Sequence, residues 1–135
     1  MLAKHGTYAL VMACSSDPKV AVGKLGSLRL QSGFYVYVGS AFGPGGLKAR
    51  IARHRQISSR FHWHIDYLLN NKKVELTSIY TIESGEQLEC RIAKRVARHG
   101  TPVPRFGCSD CKCTSHLYKV EDLDFITEIG LKKWA

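Results

Sequence analysis

The chain has 135 residues, which suits one ordinary domain with a single core and is too short for two. Hydrophobic residues make up 44% and charged residues 23%, the balance of a soluble globular protein. No apolar run reaches the length of a membrane span, and the opening stretch MLAKHGTYALVMACSSD lacks the form of a signal peptide. A cytoplasmic protein with no membrane partner is expected. Twenty Lys and Arg against eleven Asp and Glu leave a net charge of +9. That excess favours a polyanion, because each cation set against a phosphate releases a condensed counterion. The cations are also clustered: Lys48, Arg50, Arg53, His54 and Arg55 in one segment, Arg91, Lys94, Arg95 and Arg98 in another. The clustering points toward nucleic acid.

In chain order, residues 6–14 alternate with the period of a strand, Tyr8, Leu10 and Met12 on one face and Thr7, Ala9 and Val11 on the other. A turn at Ser15 to Pro18 leads into residues 19–30, a hairpin interrupted by Gly23 and Gly26. A second turn precedes a strand over 34–39, with Tyr37 on the face opposite Phe34, Val36 and Val38. The glycine-rich loop 40–46 is followed by a helix over 47–56, a second helix over 63–70 and a strand over 74–82. A longer helix is predicted over 86–99, stopped by Gly100 and Pro102. A short strand over 116–120 follows, and residues 123–134 are ambiguous. This order is not a regular βαβ repeat, so one α+β domain over 1–135 is expected, a small antiparallel or mixed sheet with helices packed on it.

The predicted third helix contains an anomaly. At about 100° per residue, Leu88, Cys90, Ile92, Ala93, Val96 and Ala97 form one broad apolar arc, and Glu89 falls inside it. A carboxylate there needs a cation, a metal or good hydrogen-bond donors. In the helix after the glycine loop, Arg50 and His54 lie one turn apart along the border of the side marked by Leu47 and Ile51. Arg53 and Lys48 point elsewhere, as solvated charge. Arg50 could pair with Glu89, or both could face a phosphate. His54 suits proton transfer or a backbone contact. Tyr8 and Tyr37 sit in strands, where aromatic residues are usually packing, although a phenol can also orient a reacting water.

These residues fall in a familiar order. Gly6-Thr7-Tyr8 and Tyr37-Val38-Gly39, then Arg50 and His54 in LKARIARH, then Glu89 in QLECRIAKR, resemble the ordered signature of the GIY-YIG nucleases over residues 6–98. YVYVGSAFGPGGLKARIARH, HWHIDYLL and FGCSDCKCTSHL are similar to a branch of small stand-alone archaeal and bacterial members, some fused to a DNA glycosylase-type endonuclease. The resemblance implies a three-stranded, mainly antiparallel sheet flanked by helices and a metal-dependent endonuclease acting on DNA, structure-specific or repair-related. One Mg²⁺ or Mn²⁺ would sit on Glu89. Tyr8 and Tyr37 would position or deprotonate the attacking water, and Arg50, with His54 beside it, would stabilise the developing charge. Lys48, Arg53, Arg55, His62 and His64 would contact the nucleic acid. Thr7 and Val38 replace the isoleucines of the family name, and the Asn that homing and excision-repair members carry after the metal-binding helix has no counterpart in 97–107. The alternative is a nucleic-acid-binding module with little or no cleavage activity. The absence of a second binding domain leaves room for a protein partner or a homodimer.

Two constellations remain. His62-Trp63-His64-x-Asp66 gathers two imidazoles and a carboxylate, but on a helix His62 and Asp66 share a face while His64 points away. A substrate-edge or structural role is preferred there to a second metal. The chain has five cysteines, and Cys108-x2-Cys111-x-Cys113-x2-His116 holds four zinc-type ligands. Cys-x-Cys is tight and no second ligand pair follows at finger spacing. Packed thiols, with His116 near the active-site sheet, are preferred to structural Zn²⁺.

Overall fold

A computed structural model describes residues 4–56, 61, 63–107 and 114–134. The strands are β1 (Gly6–Cys14), β2 (Lys19–Val22), β3 (Gly26–Arg29), β4 (Gly33–Ala41), β5 (Val74–Glu83), β6 (Gly100–Pro102), β7 (Leu117–Val120) and β8 (Lys132–Lys133). The helices are α1 (Gly46–Arg55), α2 (His64–Leu69), α3 (Glu89–Val96) and α4 (Phe125–Glu128). Six strands form one sheet in the order β6-β7-β4-β1-β5-β8, antiparallel throughout, and β2 and β3 form a separate ribbon.

The architecture is α+β, and the sheet has six strands where three are expected. β1, β4 and β5 form its centre, while β6, β7 and β8 extend both sides. β6 escapes notice in the sequence because Gly100 and Pro102 read as a helix stop. Proline lacks an N–H for the ladder, so it is tolerated in a strand only at an edge, and β6 is an edge strand. α3 is also shorter than predicted. Glu86 N–H is bonded to Ser84 Oγ at 2.9 Å in a local turn, and the helix begins at Glu89. It runs to Val96, tightens into a 3₁₀ turn over Ala97–His99 and gives way at Gly100, which is extended.

The strand alternation divides the core as its period requires. Tyr8, Leu10, Met12, Tyr35 and Tyr37 pack with Leu47 and Ile51 of α1, Ile65 and Leu68 of α2, and Val20 and Val22 of the ribbon. Ala9, Val11, Val36 and Val38 pack with Ile92, Ala93 and Val96 of α3 and with Phe125 and Ile126 of α4. The layers are therefore α1 and α2 with the ribbon, then the sheet, then α3 and α4. Backbone bonds from Val103 N to Leu117 O, Arg105 N to Thr114 O and His116 N to Phe106 O, at 2.8 to 2.9 Å, prolong the hairpin of β6 and β7. Among the described residues no helix is long and apolar enough to cross a membrane.

Candidate active site

Tyr8 of β1 and Tyr37 of β4 point to the same side of the sheet, ring centroids 6.5 Å apart. Tyr8 stands directly across the ladder from Gly39, and a Cβ at Gly39 would overlap Tyr8 Oη and Cζ. The glycine therefore makes room for the ring, which is why a strand tolerates it here. Tyr8 Oη shares a 2.7 Å hydrogen bond with His54 Nε2, and both residues are buried. Burial, reinforced by Arg50 and Arg53 against the opposing pull of Asp66, lowers His54 to about 4, so its ring is neutral at physiological pH. Burial likewise raises Tyr8 well above the ordinary tyrosine value, with Arg50 opposing. Tyr37 is raised by burial too, and the neighbouring Tyr8 and Glu89 add to the effect. Both phenols therefore keep their protons.

Arg50 is fixed at two points. One guanidinium nitrogen donates to Ser40 O at 2.9 Å, and its carbon lies 4.3 Å from the centroid of the Trp63 ring. Arg53 also stacks on Trp63, at 4.2 Å, and forms a bidentate pair with Asp66 at 2.9 and 3.0 Å. Asp66 in turn accepts Trp63 N–H at 2.9 Å. Arg53 is thus not the solvated charge that the helical pattern suggests. Asp66, buried in α2, captures it. Lys48 and Arg55 are exposed on α1, as expected of cations free to meet solvent or a phosphate.

Glu89 lies in the first turn of α3 on the side of Ile92, Ala93 and Val96, where the apolar face runs out into a cavity. Its Oε1 lies 2.6 Å from His116 Nδ1, and its side chain keeps about a quarter of its exposure. The carboxylate on the apolar arc therefore meets an imidazole and not Arg50, a close approach that lacks hydrogen-bond geometry at Nδ1. Among the described residues no protein partner is found for Oε2. His116 is buried, and its Nε2 stands 3.9 Å from Cys90 Sγ.

Tyr8, Tyr37, Gly39, Ser40, Arg50, Trp63, Glu89, Cys90, Gly107 and His116 line one cavity of about 360 Å³. It gathers two phenols, a guanidinium and a carboxylate from four separate elements. His54 stands behind Tyr8 outside this lining. A larger groove of about 660 Å³ runs along β5 past Arg55, Lys72 and Lys73 and holds none of Tyr37, Arg50 or Glu89. His64 is half-buried and accepts Gly107 N–H at its Nδ1, at 2.9 Å, so it holds the rim of the cavity. Burial lowers its pKa. His62, Cys108, Cys111 and Cys113 lie outside the described residues. Among the described residues no three or more His, Cys, Asp or Glu side chains are grouped to hold one metal ion.

A family model matches residues 7–133, nearly the whole chain. The chain belongs to the family described as Domain of unknown function DUF123. The matched span of this DUF123 chain contains every residue of the cavity. No curated protein and no solved structure matches it.

Sequence reasoning undervalued three residues of the DUF123 site. Trp63 was hidden between two histidines that drew attention as ligands, and no periodicity marks a residue whose task is to stack on guanidinium groups. Cys90 reads as one more member of the apolar arc. His116 reads as the last of four zinc-type ligands or as a neighbour of the active-site sheet, and its contact with Glu89, 27 positions earlier in the chain, has no local signal.

Proposed function

We propose that this chain is a divalent-metal-dependent endonuclease of the GIY-YIG type that hydrolyses phosphodiester bonds in DNA. The observation that carries the reading is the convergence of Tyr8, Tyr37, Arg50 and Glu89 on one cavity. The ordered motifs that contain these residues support it, as does the net charge of +9.

Glu89 fits a hard divalent ion. It offers a partly exposed carboxylate at the cavity wall, with Oε1 beside His116. Mg²⁺ or Mn²⁺ typically takes one or two carboxylates, with water and phosphate oxygens completing the shell. Such an ion would supply charge neutralisation at the phosphate and help for the leaving oxygen.

The remaining chemistry belongs to the chain. Arg50 offers a planar fork for two phosphate oxygens, and its anchors on Ser40 O and Trp63 hold that fork before substrate arrives. Tyr8 is a neutral phenol. When its O–H donates to neutral His54, its oxygen is left to accept a hydrogen bond from the attacking water, fixing that water's direction. Tyr37, also neutral, supplies a second hydroxyl for the water or the phosphate. Exposed Lys48 and Arg55 on α1, and Arg91, Lys94, Arg95 and Arg98 after Glu89, suit the flanking phosphates.

The test is a cleavage panel of duplex, single-stranded, flap and junction DNA with Mg²⁺ or Mn²⁺, with RNA as comparison. Cutting of at least one DNA substrate is expected, abolished by Glu89→Ala with binding retained. Equal residual nicking by wild type and Glu89→Ala removes the catalytic assignment. Binding without cutting by the wild type favours the binding-module reading instead.

A further inference from the structure

The sheet leaves much of β5 open on one side. β1 pairs with it from Val74 to Glu83, but on the outer side β8 meets only Tyr80 and Thr81. Trp134 N–H adds one bond there, to Ile79 O at 2.7 Å. Among the described residues nothing pairs with the outer side of Glu75 to Ser78. Open N–H and C=O groups on a strand edge are a template for another strand. The groove of about 660 Å³ follows this strand: every residue from Val74 to Ile79 lines it, together with Leu69 of α2. Val74 and Leu76 are half-buried while Glu75 and Thr77 are exposed, the alternation of a strand with one apolar face. Arg55, Lys72 and Lys73, all exposed, also line the groove, and Glu75 is the one carboxylate among its described residues.

We propose that this groove takes a short, extended, acidic peptide segment of a partner protein, which adds to β5 as a strand over Glu75 to Ser78. In strand addition the main chain supplies the pairing and alternate side chains supply the selection. A peptide offers an N–H to each open carbonyl and a carbonyl to each open N–H. A phosphodiester strand brings acceptors alone and would set them against those carbonyls. A second copy of this chain also suits the edge poorly. Pairing edge to edge would bring together the Arg55, Lys72 and Lys73 of two chains, each with a net charge of +9. Carboxylates on the added segment meet these cations instead. The segment is short because β5 is bulged. Val11 faces Ser78 and Met12 faces Leu76, which leaves Thr77 as an extra residue that bends the edge. At about 3.3 Å per residue, Glu75 to Ser78 spans roughly 13 Å. The inference goes beyond the endonuclease reading and does not rest on it, since this groove holds none of Tyr37, Arg50 or Glu89.

The experiment titrates the full chain at low salt with an acetylated, amidated octapeptide in which Glu alternates with Val. Saturable one-to-one binding is expected, with slowed hydrogen exchange at backbone amides within Glu75 to Ser78. The counterpart with Lys for Glu should bind about tenfold more weakly or worse. Two further acidic peptides carry N-methyl groups, one on the Glu residues and the other on the Val residues. Charge is the same in both, but only one set of N–H groups faces β5. One of the two should therefore bind about tenfold more weakly than the parent, the worth of one or two lost hydrogen bonds. Lys72→Glu combined with Lys73→Glu should weaken the parent peptide by about tenfold with an unchanged circular dichroism spectrum. Absence of saturable binding, protection mapped outside Glu75 to Ser78, or equal affinity of both methylated peptides and the parent overturns the proposal. So does an eight-nucleotide oligothymidylate that protects the same amides at lower concentration, which assigns the groove to nucleic acid. Protection of those amides by dimerisation of the chain alone assigns it to a second copy and overturns the proposal equally. DNA cleavage enters none of these readings, so its failure and theirs are separable.

Discussion

Replacing Tyr8 by Phe removes one oxygen from a buried pair. The ring keeps its packing over Gly39, so little apolar burial is lost. The effect falls instead on His54, which is 4% exposed and loses the hydrogen bond at Nε2. Its Nδ1 has no hydrogen-bond partner among the described residues, so the variant leaves a buried imidazole with no bond at all. An unsatisfied buried polar group costs about 1–3 kcal/mol. With a urea slope of roughly 2 kcal/mol per molar, the unfolding midpoint at pH 7.5 should drop by about 0.5–1.5 M, with the slope itself unchanged. A double-mutant cycle isolates the pair: His54→Phe made in the Tyr8→Phe background should cost less than in the wild type, with a coupling of about 1 kcal/mol or more. DNA cleavage in the proposed reaction should fall by about 10²-fold, the cost of losing the group that aims the attacking water. A Tyr8→Phe midpoint equal to the wild type's, together with zero coupling, refutes the argument.

The pH dependence follows from the same histidine. Folded His54 titrates near 4, below its ordinary 6.5, so between those values the unfolded chain binds a proton that the folded chain refuses. Its contribution is complete above pH 6.5 and is lost as pH falls toward 4, by about 3 kcal/mol in all. Urea midpoints at pH 7.5, 5.5 and 4.5 should therefore fall more steeply for the wild type than for His54→Gln; parallel curves contradict the assignment. Gly39→Ala should destabilise by about 1–3 kcal/mol through overpacking against Tyr8. Much of that loss should vanish when the ring is removed by Tyr8→Ala in the same chain. A loss of equal size in both backgrounds would place the strain elsewhere.

The central elements were legible because their signals are local. Alternation groups Tyr8 with Leu10 and Met12 in β1 and separates Tyr37 from Val36 and Val38 in β4; the structure keeps both divisions and brings the two tyrosines to one face. The misplacement of Glu89 on an apolar arc marked it as unusual, and the structure gives the reason, an imidazole at the helix start. What was not legible depends on partners distant in sequence. Arg53 looks solvated until Asp66 is brought beside it from α2. β8 is two residues long and is defined only by its pairing with Tyr80 and Thr81. Pro102 argues against a strand in any reading that does not know the strand will lie at an edge.

The position of β1 bears on how the chain is made. All nine of its residues pair with β4 on one side and with β5 on the other, yet it is synthesised before both. Met12 meets Tyr35 early but must wait for Leu76, 64 positions downstream. At roughly 5–20 residues per second that gap lasts about 3–13 s on the ribosome, during which an apolar strand has one edge unpaired. A nascent chain stalled within that interval is therefore the form most exposed to aggregation and most in need of a chaperone.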